Sequence, residues 1–284
     1  MGYLLIVAAS AMFGIGPSVS TILQRSGWDA LSVLWTGELG GALLLFVMIR
    51  VRRLSLKLPW RQLRPLLLLG ALVYFLMGLC LNLSYRFMLT GLCTILHFVY
   101  PAVVILLMRL CFKEPVSGRK VCCVAVSMCG IGMVVGTSVV ELDVRVLCGA
   151  ALAVASGVFY AIYVVACDQS AMAEVDEWVA SFYILITGAV FTTAYMAFSG
   201  RLWVCFRGEQ TLLACLIPVL QTAGLVFFAK GVHKTGASGA AIVNMLEPAL
   251  SLVVSIIVFG GEITAAALAG CCLVLLSIVI SAAR

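Results

Sequence analysis

The chain has 284 residues, of which 64% are hydrophobic and 11% charged, and its mean hydropathy is +1.19. Soluble domains carry roughly 25% charged residues, so no soluble core could enclose this much apolar surface, and the bilayer must act as solvent along nearly the whole length. The formal charge of +6 does not point to nucleic acid, because the basic residues fall between apolar runs rather than on one folded face.

Taken in order, the apolar runs predict ten membrane helices, near 2–23, 30–49, 65–84, 90–111, 119–138, 146–167, 177–198, 211–229, 237–258 and 264–283. Each is close to the roughly 20 residues that cross a hydrocarbon core. Helices are required because a lipid-exposed strand edge leaves backbone groups unpaired, and barrel-type alternation is absent. The first run has no basic n-region and reads as a retained span rather than a signal peptide. Gly14, Gly16 and Pro17 within it suggest a kink.

After the second run, the segment from Leu54 to Arg64 mixes Leu56, Leu58, Trp60 and Leu63 with basic residues. It reads either as a short amphipathic piece on the membrane surface or as a solvated loop with a Trp anchor. Twelve cysteines are spread through the apolar runs and read as buried small hydrophobes. His97 and His233 lie far apart without ligand spacing, so neither a metal nor a cofactor is expected.

Orientation follows from the joints. Thirteen Lys and Arg fall on one side, among them Arg50, Arg52, Arg53, Arg119 and Lys120, against five on the other: Arg25, Arg86, Arg145, Arg201 and Arg207. Under the positive-inside rule both termini are cytoplasmic in a cell membrane. Asp168, Glu174, Asp176 and Glu177 on the basic side do not reverse this, because acidic residues contribute little to orientation.

The chain also resembles itself. Thr90–Pro101, TGLCTILHFVYP, aligns with Ala237–Pro248, ASGAAIVNMLEP, at a shift of 147; Ala9, Ser10 and Phe13 align with Ala155, Ser156 and Phe159 at 146. Cys122 and Cys123 recur as Cys271 and Cys272, with Glu114 and Glu262 ahead of them. A five-span unit is odd in number, so its second copy enters the membrane from the other side. The predicted fold class is therefore an all-α polytopic membrane protein with ten helices in two inverted repeats, 1–140 and 141–284, an architecture that recurs in secondary transporters.

These features resemble the drug/metabolite transporter superfamily, in particular its EamA-type ten-span members. The resemblance is carried by KGVHKTGASGAAIVNMLEP from Lys230 to Pro248, by Gly260, Gly261 and Glu262, and by the first-half counterparts with Glu114 and Gly118. It implies a central cavity between two inverted halves and export or exchange of amino acids, metabolites, nucleotide sugars or drugs. Members often carry an arginine in the middle of the second span, where this chain has Glu38, a group of the opposite charge.

An ionisable group at membrane depth costs at least about 2.5 kcal/mol on insertion scales and so marks a candidate site. Glu38 lies about 12 Å into its span and Glu247 about 15 Å at the helical rise. Pro248 after Glu247 removes a backbone donor and suggests an interrupted helix. His97 and Tyr100 occupy the first-half positions of Asn244 and Glu247, and Gln221, Asn82, Tyr160 and Tyr163 could add hydrogen bonds; Tyr163 reads equally well as an interfacial anchor. The candidate substrate-binding residues are thus Glu247, Tyr100, His97, Asn244, Gln221, Glu38 and Tyr160.

The expected partners are a small solute, with protons as a candidate coupling ion, and the lipid bilayer. Two rivals remain: a receptor or scaffold, disfavoured by short joints, and a membrane-embedded enzyme, for which no H-E-x-x-H, G-x-S-x-G or P-loop is present.

Overall fold

The structure, a computed structural model, describes residues 1–85, 87, 90–135, 143–169, 174–200, 209–260 and 264–282. Every regular element among them is helical. The elements are α1 (Gly2–Arg25), α2 (Ala30–Val51), α3 (Trp60–Leu69), a π-helical segment (Gly70–Met77), α4 (Gly78–Ser84), α5 (Thr90–His97), α6 (Tyr100–Phe112) and α7 (Gly118–Val135). They continue with α8 (Val144–Gln169), α9 (Glu177–Phe198), α10 (Glu209–Ala214), α11 (Leu216–Thr235), α12 (Ala237–Asn244), α13 (Glu247–Phe259) and α14 (Ala265–Ala282).

Among the described residues, eight stretches are long and apolar enough to cross a membrane, and 265–280 forms a shorter apolar helix. The protein is an integral membrane protein by this measure and by its surface. Leu43, Val47, Leu106, Leu110, Val190, Ile257, Leu268 and Val279 all face outward, an apolar exterior that a monomer in water would not sustain.

Two spans are broken at the same place. Pro101 and Pro248 open α6 and α13, and neither can donate to the carbonyl one turn earlier. The chain crosses each break through tighter bonds, Val99 N–H to Leu96 O at 3.3 Å and Leu246 N–H to Val243 O at 3.1 Å. Pro17, by contrast, sits inside a helix that runs unbroken from Gly2 to Arg25.

Packing exchanges the elements along the chain. α1 lies against α11, α12 and α13, whereas α8 lies against the π segment, α4, α5 and α6. α2 pairs with α9 and α7 with α14; the second pair is joined by the Ser127 and Ser277 hydroxyls. Both α2 and α9 start on an aspartate cap: Asp29 accepts from Leu31 N–H at 3.1 Å and Asp176 from Trp178 N–H at 2.9 Å, satisfying donors that a helix start leaves free.

Of the segment 54–64, residues 60–64 open α3 with Trp60 exposed, whereas residues 54–59 form no helix and are not simply solvated. Leu54, Leu56 and Leu58 pack on the core, and the Tyr183 hydroxyl donates to the Leu56 carbonyl at 2.7 Å. The basic side chains around these leucines masked an alternation that turns one face inward. Nor are all the thiols buried. Cys93, Cys123 and Cys167 are, but Cys111, Cys122, Cys129, Cys148, Cys215 and Cys272 lie on the outer surface, where lipid suits a small hydrophobe as well as a core does.

Candidate functional site

A cavity of about 460 Å³ lies among α1, α2, the π segment, α4, α5, α8 and α11. It extends from Gln24, Ala30 and Tyr85 at one end of the bundle to His97, Tyr160 and Glu247 at the helix breaks. This volume falls within the range of about 300–1,000 Å³ typical of small-molecule sites.

Asn244, the last residue of α12, organises its floor. Its amide nitrogen donates to the Tyr100 hydroxyl at 3.0 Å and to Glu247 Oε2 at 3.3 Å, and its oxygen accepts from Ser10 Oγ at 2.8 Å. The Tyr100 hydroxyl in turn donates to the Ala241 carbonyl at 3.4 Å. The carboxyl of Glu247 is thus held through one oxygen by a chain of fully buried groups.

On the other side of the floor, His97 Nδ1 meets Ser156 Oγ at 2.8 Å, and Ser156 Oγ donates to the Ala153 carbonyl at 2.6 Å. A hydroxyl has one proton. That one proton can serve only one of the two acceptors, so the contact anchors the ring to α8 through Nδ1 in either tautomer. The imidazole is packed by Tyr160 and Tyr100, with ring centroids at 5.8 and 6.1 Å.

Aromatic rings continue the wall. Tyr160 meets Tyr100 edge-on at 4.7 Å and stacks with Tyr163 and Phe228, each at 6.0 Å. Tyr163 is only 1% exposed, so it is an interior ring of this stack and not an interfacial anchor. A tyrosine in an apolar run gives no sign of which face it will occupy.

Of the seven residues singled out in the sequence, Glu247, His97, Gln221 and Tyr160 line the cavity. Tyr100 and Asn244 stand directly behind them, connected by the bonds above. Glu38 does not reach the cavity: it is fully buried, packed with Tyr74 against Gly188 of α9. Among the described residues neither of its oxygens has a hydrogen-bond partner within bonding geometry, although the equally unpaired Thr192 hydroxyl is a near neighbour.

Sequence reasoning missed Tyr74 and Phe13, which line the cavity, and Ser10 and Ser156, which support it. The two serines did carry a signal, being matched positions of the internal repeat. Tyr74 carried none, because it depends on the π turn from Gly70 to Met77, a geometry often found at functional sites.

At the opposite end of the bundle polar contacts gather at the start of α12. Asp168 accepts from Ala237 N–H at 3.0 Å, and Glu114 accepts from Ser238 Oγ at 2.8 Å while pairing with Lys120. These residues line a second cavity of about 590 Å³ with Tyr3, Lys113 and Arg119. Glu262, the expected repeat counterpart of Glu114, lies outside the described residues.

The profile of the EamA-like transporter family matches residues 1–136 and again residues 147–283. The chain belongs to the EamA-like transporter family. Among curated proteins it is similar to the "Uncharacterized transporter sll1319" of Synechocystis sp. (strain ATCC 27184 / PCC 6803 / Kazusa), with 27% identity over 208 residues. That match covers 72% of this chain and 62% of the relative, so the chain spans somewhat under two thirds of the relative's length. A solved structure, described only as "Crystal structure of protein", superposes with a TM-score of 0.84 over 99% of this chain and 96% of its own, at 16% identity. At that identity the match speaks for the fold alone.

Proposed function

We propose that this EamA-like protein is a secondary transporter that moves a small metabolite, an amino acid or a related polar or amphipathic solute, by alternating access, as an exporter or exchanger. The observation that carries this reading is the cavity running from one end of the bundle to Glu247 at mid-bundle, while polar contacts tie the start of α12 at the other end. A carrier in one of its two end states has this shape.

The reading includes ten spans in two inverted halves, 1–140 and 141–284, with both termini on the cytoplasmic side of a cell membrane. In its support, the helix breaks at Pro101 and Pro248 share one register, as do the caps Asp29 and Asp176. The Ser10–Asn244 and Ser156–His97 pairs are likewise related by the repeat, each joining the first helix of one half to the broken span of the other. The end at the start of α12 carries Lys113, Arg119 and Lys120, which the positive-inside rule assigns to the cytoplasm. By this assignment the cavity opens outward.

Counterflow in proteoliposomes tests the reading. With labelled solutes outside and unlabelled solute trapped inside, the native protein is expected to give saturable uptake of at least one member of a metabolite panel, and Glu247→Gln to lose it. A folded protein with no counterflow for any member would favour the scaffold reading. Repeating the assay with a proton gradient tests coupling: a stimulation present in the native protein and absent in Glu247→Gln would assign it to that carboxyl.

A further inference from the structure

At the cavity floor the Glu247 carboxyl has no lysine or arginine beside it among the described lining residues. Asn244 occupies one oxygen of Glu247, and among the described residues no donor takes the other. His97 stands on the same lining, anchored through Nδ1 to Ser156. None of the described lining residues is Lys or Arg. Arg25, next to the lining residue Gln24, lies with its guanidinium over the Phe259 ring at 4.7 Å and is absent from the described lining.

Around these groups stand the rings of Phe13, Tyr74, Phe98 and Tyr160. An aromatic face attracts a cation within about 6 Å of its centroid, more strongly once water is excluded. Among the described lining residues an anion would meet the Glu247 carboxyl with no cationic side chain to offset it, and an amino acid's carboxylate would meet the same surroundings.

From this geometry we infer that the solute is an organic monocation, a protonated amine on an apolar, ring-sized body, with its ammonium between Glu247 and the rings of Tyr160 and Phe13. The inference rests on the carrier reading above and narrows its substrate class. The cavity volume of about 460 Å³ would accommodate one such molecule with a few waters.

The test uses three probes that share one ring system and differ in charge: tryptamine, tryptophan and indole-3-propionate. Binding is read from thermal stabilisation of the full-length protein in detergent, and transport from counterflow in proteoliposomes, with protein-free vesicles correcting for passive amine leakage. Tryptamine is expected to stabilise the protein and to exchange, indole-3-propionate to do neither, and Glu247→Gln to weaken tryptamine binding at least tenfold. Glu247→Asp, which keeps the charge, is expected to recover part of it.

Tryptophan or indole-3-propionate exchanging while tryptamine is inert would overturn the charge assignment and leave the carrier reading standing. Glu247-dependent binding of tryptamine without exchange of any probe would uphold the site and overturn transport of this class. Neither binding nor exchange of tryptamine would overturn the inference whatever other solutes are carried.

Discussion

Asn244 is the residue on which the site's geometry turns, because its one amide group serves Ser10, Tyr100 and Glu247 together. Asn244→Leu keeps the volume and takes from Glu247 its bond and from Tyr100 its donor, while the Ser10 and Tyr100 hydroxyls keep the Ile6 and Ala241 carbonyls. An unsatisfied buried polar group costs about 1–3 kcal/mol, so thermal unfolding should show a loss of that order, with solute affinity reduced along with it. A stable variant of unchanged affinity would mean that Glu247 is held by something other than this chain of bonds. Glu38 gives the opposite expectation. Its carboxyl is buried with neither oxygen bonded among the described residues, an arrangement that costs stability, so Glu38→Gln should melt no lower than the native protein. If its counterflow is nonetheless lost, the carboxyl is retained for transport. A drop in stability of more than about 1 kcal/mol would instead reveal a partner for the charged form.

Some elements were legible in advance and others were not, for physical reasons. Proline has no N–H wherever it stands, so the breaks before α6 and α13 could be read from Pro101 and Pro248, and with them the placement of His97, Tyr100, Asn244 and Glu247 at one depth. The π turn at Gly70–Met77 could not, because the apolar run around Tyr74 looks like any other membrane helix and the wider turn is set by what packs on it. Gly70 touches α9 so closely that a Cβ there would lie 2.7 Å from the Ile184 carbonyl. The polar contacts at α12 were hidden too, since Asp168 meets a backbone N–H 69 positions away. Those contacts make an element-scale prediction. Asp168→Ala together with Glu114→Ala frees the start of α12 and should shift the population toward the state open at that end. Cys123 lines the cavity there and is 1% exposed, so its alkylation, followed by peptide mass spectrometry, should accelerate several-fold in the double variant. An unchanged rate would show that the polar contacts follow closure and do not hold it.

At the scale of the whole molecule, the exchange of first helices decides what can fold alone. α1 packs on α11, α12 and α13 far more than on its sequence neighbour α2, and α8 does the same with the π segment, α4, α5 and α6. A first half expressed by itself would leave Ile6 and Ala9, now fully buried, without a surface to cover them, and would leave Ser10 without Asn244. In a bilayer the apolar residues lose little by facing lipid, so the penalty falls on packing and on the buried hydrogen bonds. Two inserted but incompletely packed halves are therefore expected, each competent to find the other. Residues 1–140 and 141–284 produced as separate chains in one cell should copurify through a tag on either half and regain solute-dependent thermal stability, and each alone should be degraded or aggregate. Ser127→Leu, which removes one hydroxyl of the contact joining α7 to α14, should weaken the split complex more than the intact chain, because the covalent link no longer supplies a high effective concentration. A first half that is stable and monodisperse by itself would show that the exchanged packing is not what holds the protein together, and would weigh against two halves that move as interlocked bodies.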